Sequence, residues 1–193
     1  MKTLILDSTN IDLNVGLAID NKLVSYVSYP CWQQQSEKMI PEIDQILKNN
    51  HINPKEINEI IVTKGPGSYT GIRIALTIAK VYAYSLKIPC YAISSLEALV
   101  KLNVPSICLI NARSNRSYIG VYNSSSNIND TIYTNEEVLK FINDHQDYVV
   151  CGDTNYLNIE GYKANLLSNL LALKNENNHV KDIFTLKATY LKD

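Results

Sequence analysis

Residues 59–86 combine three local patterns in direct succession, and they read EIIVTKGPGSYTGIRIALTIAKVYAYSL. The apolar run at 59–63 is typical of a buried strand, and the glycine-rich segment at 65–71 then breaks regular structure. From Ile72 to Leu86 apolar residues recur at helical spacing. This order of strand, glycine loop and helix predicts one β-α unit of an α/β protein.

The chain before this unit is predicted to form three strands and a helix. Apolar runs at 4–6, 13–19 and 23–27 fit strands, and Asp20-Asn21 is a pair that tolerates the positive φ of a tight hairpin turn. Apolar residues at helical spacing predict a helix from 36 to 49. After residue 86 we expect a strand at 90–93, and Ser94-Ser95-Leu96-Glu97 has the form of a capping box that begins another helix.

The second half repeats this order of elements. Strands are predicted at 107–110 and 118–122 around a polar turn, a capped helix begins between Thr134 and Glu137, a strand covers 148–151, and a helix covers 166–173. Each half therefore starts with a hairpin and continues with alternating strands and helices. We predict two small α/β lobes, residues 1–102 and residues 103–193.

Composition narrows the class of protein. The 193 residues are 46% hydrophobic with a formal net charge of −1, which argues against a domain that grips nucleic acid through its own positive field. Four cysteines stand apart without C-x-x-C spacing and are expected to be reduced core residues. The apolar run at the N-terminus is too short for a signal peptide, so the expected compartment is the cytoplasm.

Two features could bind a ligand or a partner, and each has a plainer interpretation. The glycine loop could expose N–H groups to an anion at a helix N-terminus, but it lacks the Gly-Lys-Ser/Thr of a P-loop, so tight turning and close packing are the default. The helix that follows carries small residues at Ala75, Ala79 and Ala83. It could pack against a partner or only against the sheet of its own lobe.

Catalytic signals are weak. Asp7-Ser8-Thr9 follows the first strand and could meet a metal-bound phosphate, although such residues more often form turns. The three histidines are far apart in sequence and offer no helical metal pair. Arg113, Arg116 and Tyr118 form a basic and aromatic cluster that is best explained as a solvated hairpin turn.

Several segments together resemble the TsaB (YeaZ) family of Gcp-like proteins. The strongest are LILDST at 4–9 and GPGSYTGIRI at 65–74. SSLEAL at 94–99 and Asn111-Ala112-Arg113 also match, and the closing ATYLK at 188–192 resembles the family's Pro-x-Tyr-Leu-Arg pattern. The sequence departs from the family in two places. Gln34 and Gln35 stand where relatives commonly have a histidine, and Asn111 stands where they often have aspartate.

The resemblance implies an actin-like (ASKHA, ribonuclease H-like) α/β fold of two lobes with duplicated βββαβα-type topology and a shortened second lobe. It also implies a non-catalytic scaffold subunit, without catalytic residues, metal or cofactor of its own. Such a subunit dimerises with the catalytic subunit TsaD and recruits the ATPase TsaE. It thereby supports threonylcarbamoyl transfer to the adenosine beside the anticodon of ANN-decoding tRNAs, which it meets only through the complex.

The family's docking surface, also used for a homodimer of the isolated chain, maps onto the first helix and the helix after the glycine loop. The residues implied are Met39, Ile40, Ile43, Leu47, Ile72, Ala75, Leu76, Ala79, Tyr82 and Ala83. The loop motif beside this surface comprises Gly65, Pro66, Gly67, Ser68, Tyr69, Thr70, Gly71 and Arg73.

Two other functions stay open. One is an ATP-dependent acyl or phosphoryl transferase that acts through Asp7, Thr9 and the loop from Gly65 to Gly71. The other is a self-contained tRNA-binding module, which the net charge disfavours.

Overall fold

The computed structural model describes residues 1–191 and contains two mixed β-sheets with helices packed against them. Lys192, the last residue of the closing pattern, lies outside the described residues. No helix within 1–191 is both long and apolar enough to span a membrane.

The first sheet has five strands in the order β3-β2-β1-β4-β5. Strands β1 to β3 form an antiparallel meander, while β4 and β5 run parallel to β1. Asp20 and Asn21 adopt positive φ angles of 48° and 60°, as predicted for the hairpin turn. The elements of this part are β1 (Lys2–Asp7), β2 (Asp12–Ile19), β3 (Lys22–Pro30), α1 (Gln35–Asn49), β4 (Glu59–Thr63), α2 (Tyr69–Leu86) and β5 (Cys90–Ile93).

The second sheet has four strands in the order β8-β7-β6-β9, again an antiparallel meander followed by a parallel strand. Its topology repeats that of the first sheet, so the predicted two-lobe α/β architecture is confirmed. The elements are β6 (Ser106–Arg113), β7 (Arg116–Tyr122), β8 (Ile128–Thr134), α3 (Asn135–Asp144), β9 (Val149–Gly152) and α4 (Leu166–Leu173).

The alternation of side chains along β1 separates two layers of core on either side of the first sheet. Leu4 and Leu6 pack on one face with α1 and α2, whereas Ile5 packs on the other face with Leu167 and Leu170 of α4. The segment after α4 also returns to the first sheet, where Leu186 joins the core beneath α2. The lobe boundary between residues 102 and 103 stays a prediction.

The structure differs from the local predictions at three points. The expected helix after Ser94 is a single 3-10 turn, Glu97–Leu99, because the chain becomes extended at Val100 with ψ of 151°. Strand β8 was not predicted, since its sequence INDTIYT lacks a continuous apolar run. Helix α2 begins at Tyr69 rather than Ile72. All four cysteines are free and buried, as predicted.

A buried ion pair ties the end of α4 to the first sheet. Lys174 Nζ lies 2.6 Å from Glu59 Oε1, and the same oxygen accepts from the Thr3 hydroxyl at 2.6 Å. The side chain of Glu59 is only 4% exposed and that of Lys174 is 16% exposed. Removing the lysine alone would leave a buried carboxylate without its counter-charge.

We therefore expect Lys174→Met to lower the free energy of unfolding by about 3 kcal/mol. The double variant Glu59→Gln/Lys174→Met should recover part of this loss, because the buried charge is gone. Urea denaturation followed by circular dichroism gives both values. The matched control is Lys48→Met, whose partner Asp44 forms an exposed pair at 2.7 Å, and it should cost under about 0.5 kcal/mol. Equal losses at both lysines would contradict the argument.

Candidate functional site

The carboxyl ends of parallel strands from both sheets open into one cleft of about 880 Å³, called here the inter-lobe cleft. Asp7 at the end of β1 and Ser95 after β5 line it from the first sheet. Gly152 and Asp153, at the end of β9, line it from the second. In α/β sheets the crevice outside the carboxyl ends of the strands is where small ligands bind.

Asp7 is buried at the bottom of this cleft, with 1% of its surface exposed. Its Oδ1 accepts from the hydroxyls of Thr9 and Thr63, each at 2.6 Å, and from the Thr9 amide at 3.2 Å. Its Oδ2 accepts from Asn14 Nδ2 at 2.9 Å, and the Ser28 hydroxyl in turn donates to Asn14 Oδ1 at 2.6 Å. The carboxylate therefore organises the ends of β1, β2, β3 and β4.

This network makes Asp7 a poor position for a test of catalysis by mutation. All four hydrogen bonds need an acceptor, and an asparagine would turn an NH₂ group towards a donor. Asp7→Asn would thus disturb the fold as well as any chemistry, so loss of activity in that variant would not separate a scaffold from an enzyme.

The cleft carries excess negative charge. Burial raises the pKa of Asp12 above its ordinary value, and the negative charge of Asp7 raises it further. Burial also raises the pKa of Asp153, although a backbone hydrogen bond at Asn111 acts in the opposite direction. Lys163 is the single basic residue among those that line the cleft. Within residues 1–191 no three His, Cys, Asp or Glu side chains are grouped to hold a metal ion.

The glycine loop packs against the backbone that follows β1. A Cβ atom on Gly71 would lie 1.8 Å from the Ser8 carbonyl oxygen, and one on Gly67 would lie 2.2 Å from that of Thr9. The Ser68 amide donates to the Thr9 carbonyl at 2.7 Å, and the Ser8 hydroxyl donates to the Gly71 carbonyl at 2.8 Å. Glycines are needed here because two backbones approach this closely.

Two amides of the loop donate hydrogen bonds inside the fold. Besides the Ser68 amide, the Gly71 amide donates to the Ser68 hydroxyl at 3.3 Å as an N-cap. The Arg73 side chain contacts two tyrosines. Its guanidinium carbon lies 3.8 Å from the centre of the Tyr69 ring, and its Nε donates to the Tyr190 hydroxyl at 2.8 Å.

The residues of the proposed transferase site are divided between two cavities. Asp7 and Thr9 line the inter-lobe cleft, whereas residues 67–70 of the loop line a neighbouring cavity of about 760 Å³ beside Trp32 and Arg113. Asn10, Ile11, Ile110 and Asp153 contribute to both. The two cavities adjoin at these shared residues, and the loop meets Thr9 directly through the Ser68 amide.

The predicted docking residues lie mainly inside the first lobe, and their role in docking stays a prediction. A side chain without exposed surface cannot contact a partner directly. Of the ten, Ile40 is 60% exposed and Tyr82 is half-buried. The other eight belong to the core between the first sheet and its two helices: Met39, Ile43, Leu47, Ile72, Ala75, Leu76, Ala79 and Ala83.

The same two helices nevertheless present large apolar side chains to solvent. Val81 and Tyr84 on α2 are 57% and 64% exposed. Phe184, from the segment after α4, is 72% exposed and meets the Tyr84 ring at 5.3 Å. Together with Ile40 of α1, these residues define what is called here the outer helix face.

The family follows from comparison with known proteins. The family model described as TsaD, tRNA N6-adenosine threonylcarbamoyltransferase, matches residues 31–146, more than half of the chain. The chain belongs to this family. Within it the chain is a member of the TsaB (YeaZ) group, as the next relatives indicate.

A Bacillus subtilis protein named tRNA threonylcarbamoyladenosine biosynthesis protein TsaB is 32% identical over 144 residues, which cover 72% of this chain and 62% of the relative. A Buchnera aphidicola protein of the same name is 39% identical over 94 residues, covering 48% of this chain and 44% of the relative. The chain thus matches only part of the length of these relatives.

The structure of YeaZ from Pseudomonas aeruginosa superposes with a TM-score of 0.79 at 21% identity, covering 98% of this chain and 99% of that one. This similarity supports the predicted actin-like, ribonuclease H-like fold.

Several residues of the inter-lobe cleft were not predicted from the sequence. Ser95 was considered only as part of a capping box, and Asp153 was not singled out. Asp7 is the last residue of β1 and Asp153 directly follows β9, so an acid at the end of a strand in each half of the sequence was the available signal. Lys163 lies in an irregular segment, and nothing in its local sequence points to the cleft.

The close approach of Gly71 to the Ser8 carbonyl should reverse the usual effect of replacing a helical glycine with alanine. Gly71 lies in the first turn of α2, where alanine would ordinarily favour the helix by about 1 kcal/mol. Because its Cβ would overlap the Ser8 carbonyl, we expect Gly71→Ala to destabilise the protein by about 2 kcal/mol instead. Thermal and urea unfolding measure the change, and the exposed neighbour Thr70→Ala is the control. A stabilised Gly71→Ala variant would show that the contact between α2 and the backbone of Ser8 has room for a methyl group.

Proposed function

We propose that this chain takes part in threonylcarbamoyladenosine modification of tRNA as a non-catalytic subunit. It docks to the catalytic subunit TsaD through the outer helix face, and TsaE joins the resulting complex. Without TsaD, the same face pairs two copies of the chain. Contact with tRNA occurs only within the complex.

The outer helix face is the observation that carries this proposal. Ile40, Val81, Tyr84 and Phe184 are each more than half exposed although they are large and apolar. The inner sides of α1 and α2 are already buried against the first sheet, so the fold itself does not need apolar residues on the outer side. Large apolar side chains exposed on the outer sides of packed helices are typical of a protein interface.

The names of the relatives support the pathway. The Bacillus and Buchnera relatives are both named for threonylcarbamoyladenosine biosynthesis, and the matching family model is described as the transferase. The matched segment 31–146 contains both helices of the outer face.

The transferase alternative has less support. Oδ1 of Asp7 already accepts three hydrogen bonds from within the fold. ATP hydrolysis by the isolated chain, measured as phosphate release, would favour the alternative. Threonylcarbamoyl transfer that requires both this chain and TsaD would favour the proposal.

Charge introduced on the outer helix face should abolish docking. We expect Val81→Glu and Tyr84→Glu each to weaken association with TsaD at least about 10-fold, because a buried unpaired carboxylate at an interface is costly. Co-purification and a threonylcarbamoyl transfer assay measure the effect. Val24→Glu is the matched control, since Val24 is 47% exposed on β3, outside both helices. Wild-type association by both helix variants would place the docking surface elsewhere.

Buried positions of the same helices should behave differently. Ala79 is fully buried between α2 and the sheet, so Ala79→Arg should destabilise the monomer by about 3 kcal/mol or more instead of blocking association selectively. Unfolding of this variant compared with Tyr84→Glu separates the two effects. A fully stable Ala79→Arg protein would contradict the assignment of Ala79 to the core.

A further inference from the structure

The inter-lobe cleft contains a buried hydroxyl without a hydrogen-bond partner. Ser95 is 1% exposed, and its amide donates to the Gly65 carbonyl at 2.9 Å, which fixes the backbone. Its Oγ is the buried side-chain polar atom that lacks a partner among the described residues. Burying a hydroxyl without a partner is unfavourable, so a group that enters the cleft would supply what the fold does not.

The position of Ser95 is that of a ligand site. It follows β5, beside the ends of β1 and β4, and it lines the inter-lobe cleft together with Asp7 and Asp153. The carboxyl ends of parallel strands from both sheets thus line the same cleft as the unpaired hydroxyl. This is the crevice in which α/β folds generally bind small molecules.

The charges in the wall indicate the chemistry of the ligand. Asp12 and Asp153 contribute carboxylates, which favour a cationic group. Lys163 and the first turn of α4 also line the cleft, and a lysine beside a helix N-terminus favours an anionic group. A ligand that carries both charges satisfies both parts of the wall.

We infer that the inter-lobe cleft binds a small zwitterion of the α-amino-acid class. Its ammonium group lies towards the carboxylates, its carboxylate lies towards Lys163 and α4, and the Ser95 hydroxyl bonds to it. The excess of acids disfavours a nucleoside polyphosphate. A divalent cation is disfavoured because the described part of the chain holds no cluster of three metal-binding side chains. Residues of the outer helix face do not line this cleft, so the site is independent of docking.

The test is titration of the whole chain by calorimetry and by ¹H–¹⁵N NMR. The probes are glycine, L-serine and L-threonine, with ethylamine, acetate, MgCl₂ and MgATP as comparisons. We expect at least one amino acid to bind saturably below about 10 mM and to shift the amide signals of Ser95, Gly152 and Asp153. Ethylamine and acetate, which each carry one charge, should bind at least about 10-fold more weakly.

Two variants tie the binding to this cleft. Ser95→Ala removes a hydroxyl that has no partner in the fold, so its thermal stability should not fall, while amino-acid binding should weaken about 5- to 10-fold. Asp153→Asn should weaken binding by a similar factor, and Asp147→Asn, an exposed acid outside the cleft, should leave it unchanged.

Three results would overturn the inference. They are the absence of saturable binding by all three amino acids, binding of MgATP or MgCl₂ alone at the same amide signals, and wild-type affinity in Ser95→Ala. None of them touches the docking proposal, because TsaD association and transfer activity are measured separately. Loss of docking in Tyr84→Glu with intact amino-acid binding would likewise leave this inference standing.

Discussion

The contact between the Ser8 carbonyl and the first turn of α2 constrains much of the first lobe. The two backbones approach so closely that positions 67 and 71 admit no side chain. Two hydrogen bonds, from the Ser68 amide to Thr9 and from the Ser8 hydroxyl to Gly71, close the same seam. The seam fixes the end of β1, where Asp7 lies, relative to α2. Both the inter-lobe cleft and the outer helix face therefore depend on it.

Polar groups at the strand ends fall into two kinds. Asp7 accepts hydrogen bonds from Thr9 and from residues of two strands, Asn14 of β2 and Thr63 of β4, so both of its buried oxygens have partners. Ser95 is equally buried, but the fold leaves its hydroxyl unpaired. A carboxylate that is satisfied internally stabilises the architecture, whereas an unsatisfied hydroxyl is available to something outside it. Asp7, a candidate catalytic residue in the sequence, thus has a structural role, and Ser95, which the sequence places inside a capping-box motif, lies at the candidate ligand site.

Periodicity predicted the regular elements well, because strands and helices with one buried face leave a clear pattern. Helix α4 covers 166–173 as predicted, and the capping box of Thr134 and Glu137 precedes α3. Strand β8 was missed because its residues are only half-buried and carry little apolar signal. Local sequence patterns also do not reveal long-range contacts. Nothing near residue 95 or 163 in the sequence indicates that both positions line one cleft.

Most of the predicted docking residues are buried for a physical reason. Apolar and small residues cover a wide arc of α2. In the structure that arc is filled by the sheet, by α1 and by the returning segment around Leu186. Internal packing thus accounts for Ala75, Ala79 and Ala83. It does not account for Val81 and Tyr84, which lie outside the core and could be polar without cost to the fold. Their apolar character is better explained by a partner, and the interface argument is stronger when it rests on these residues alone.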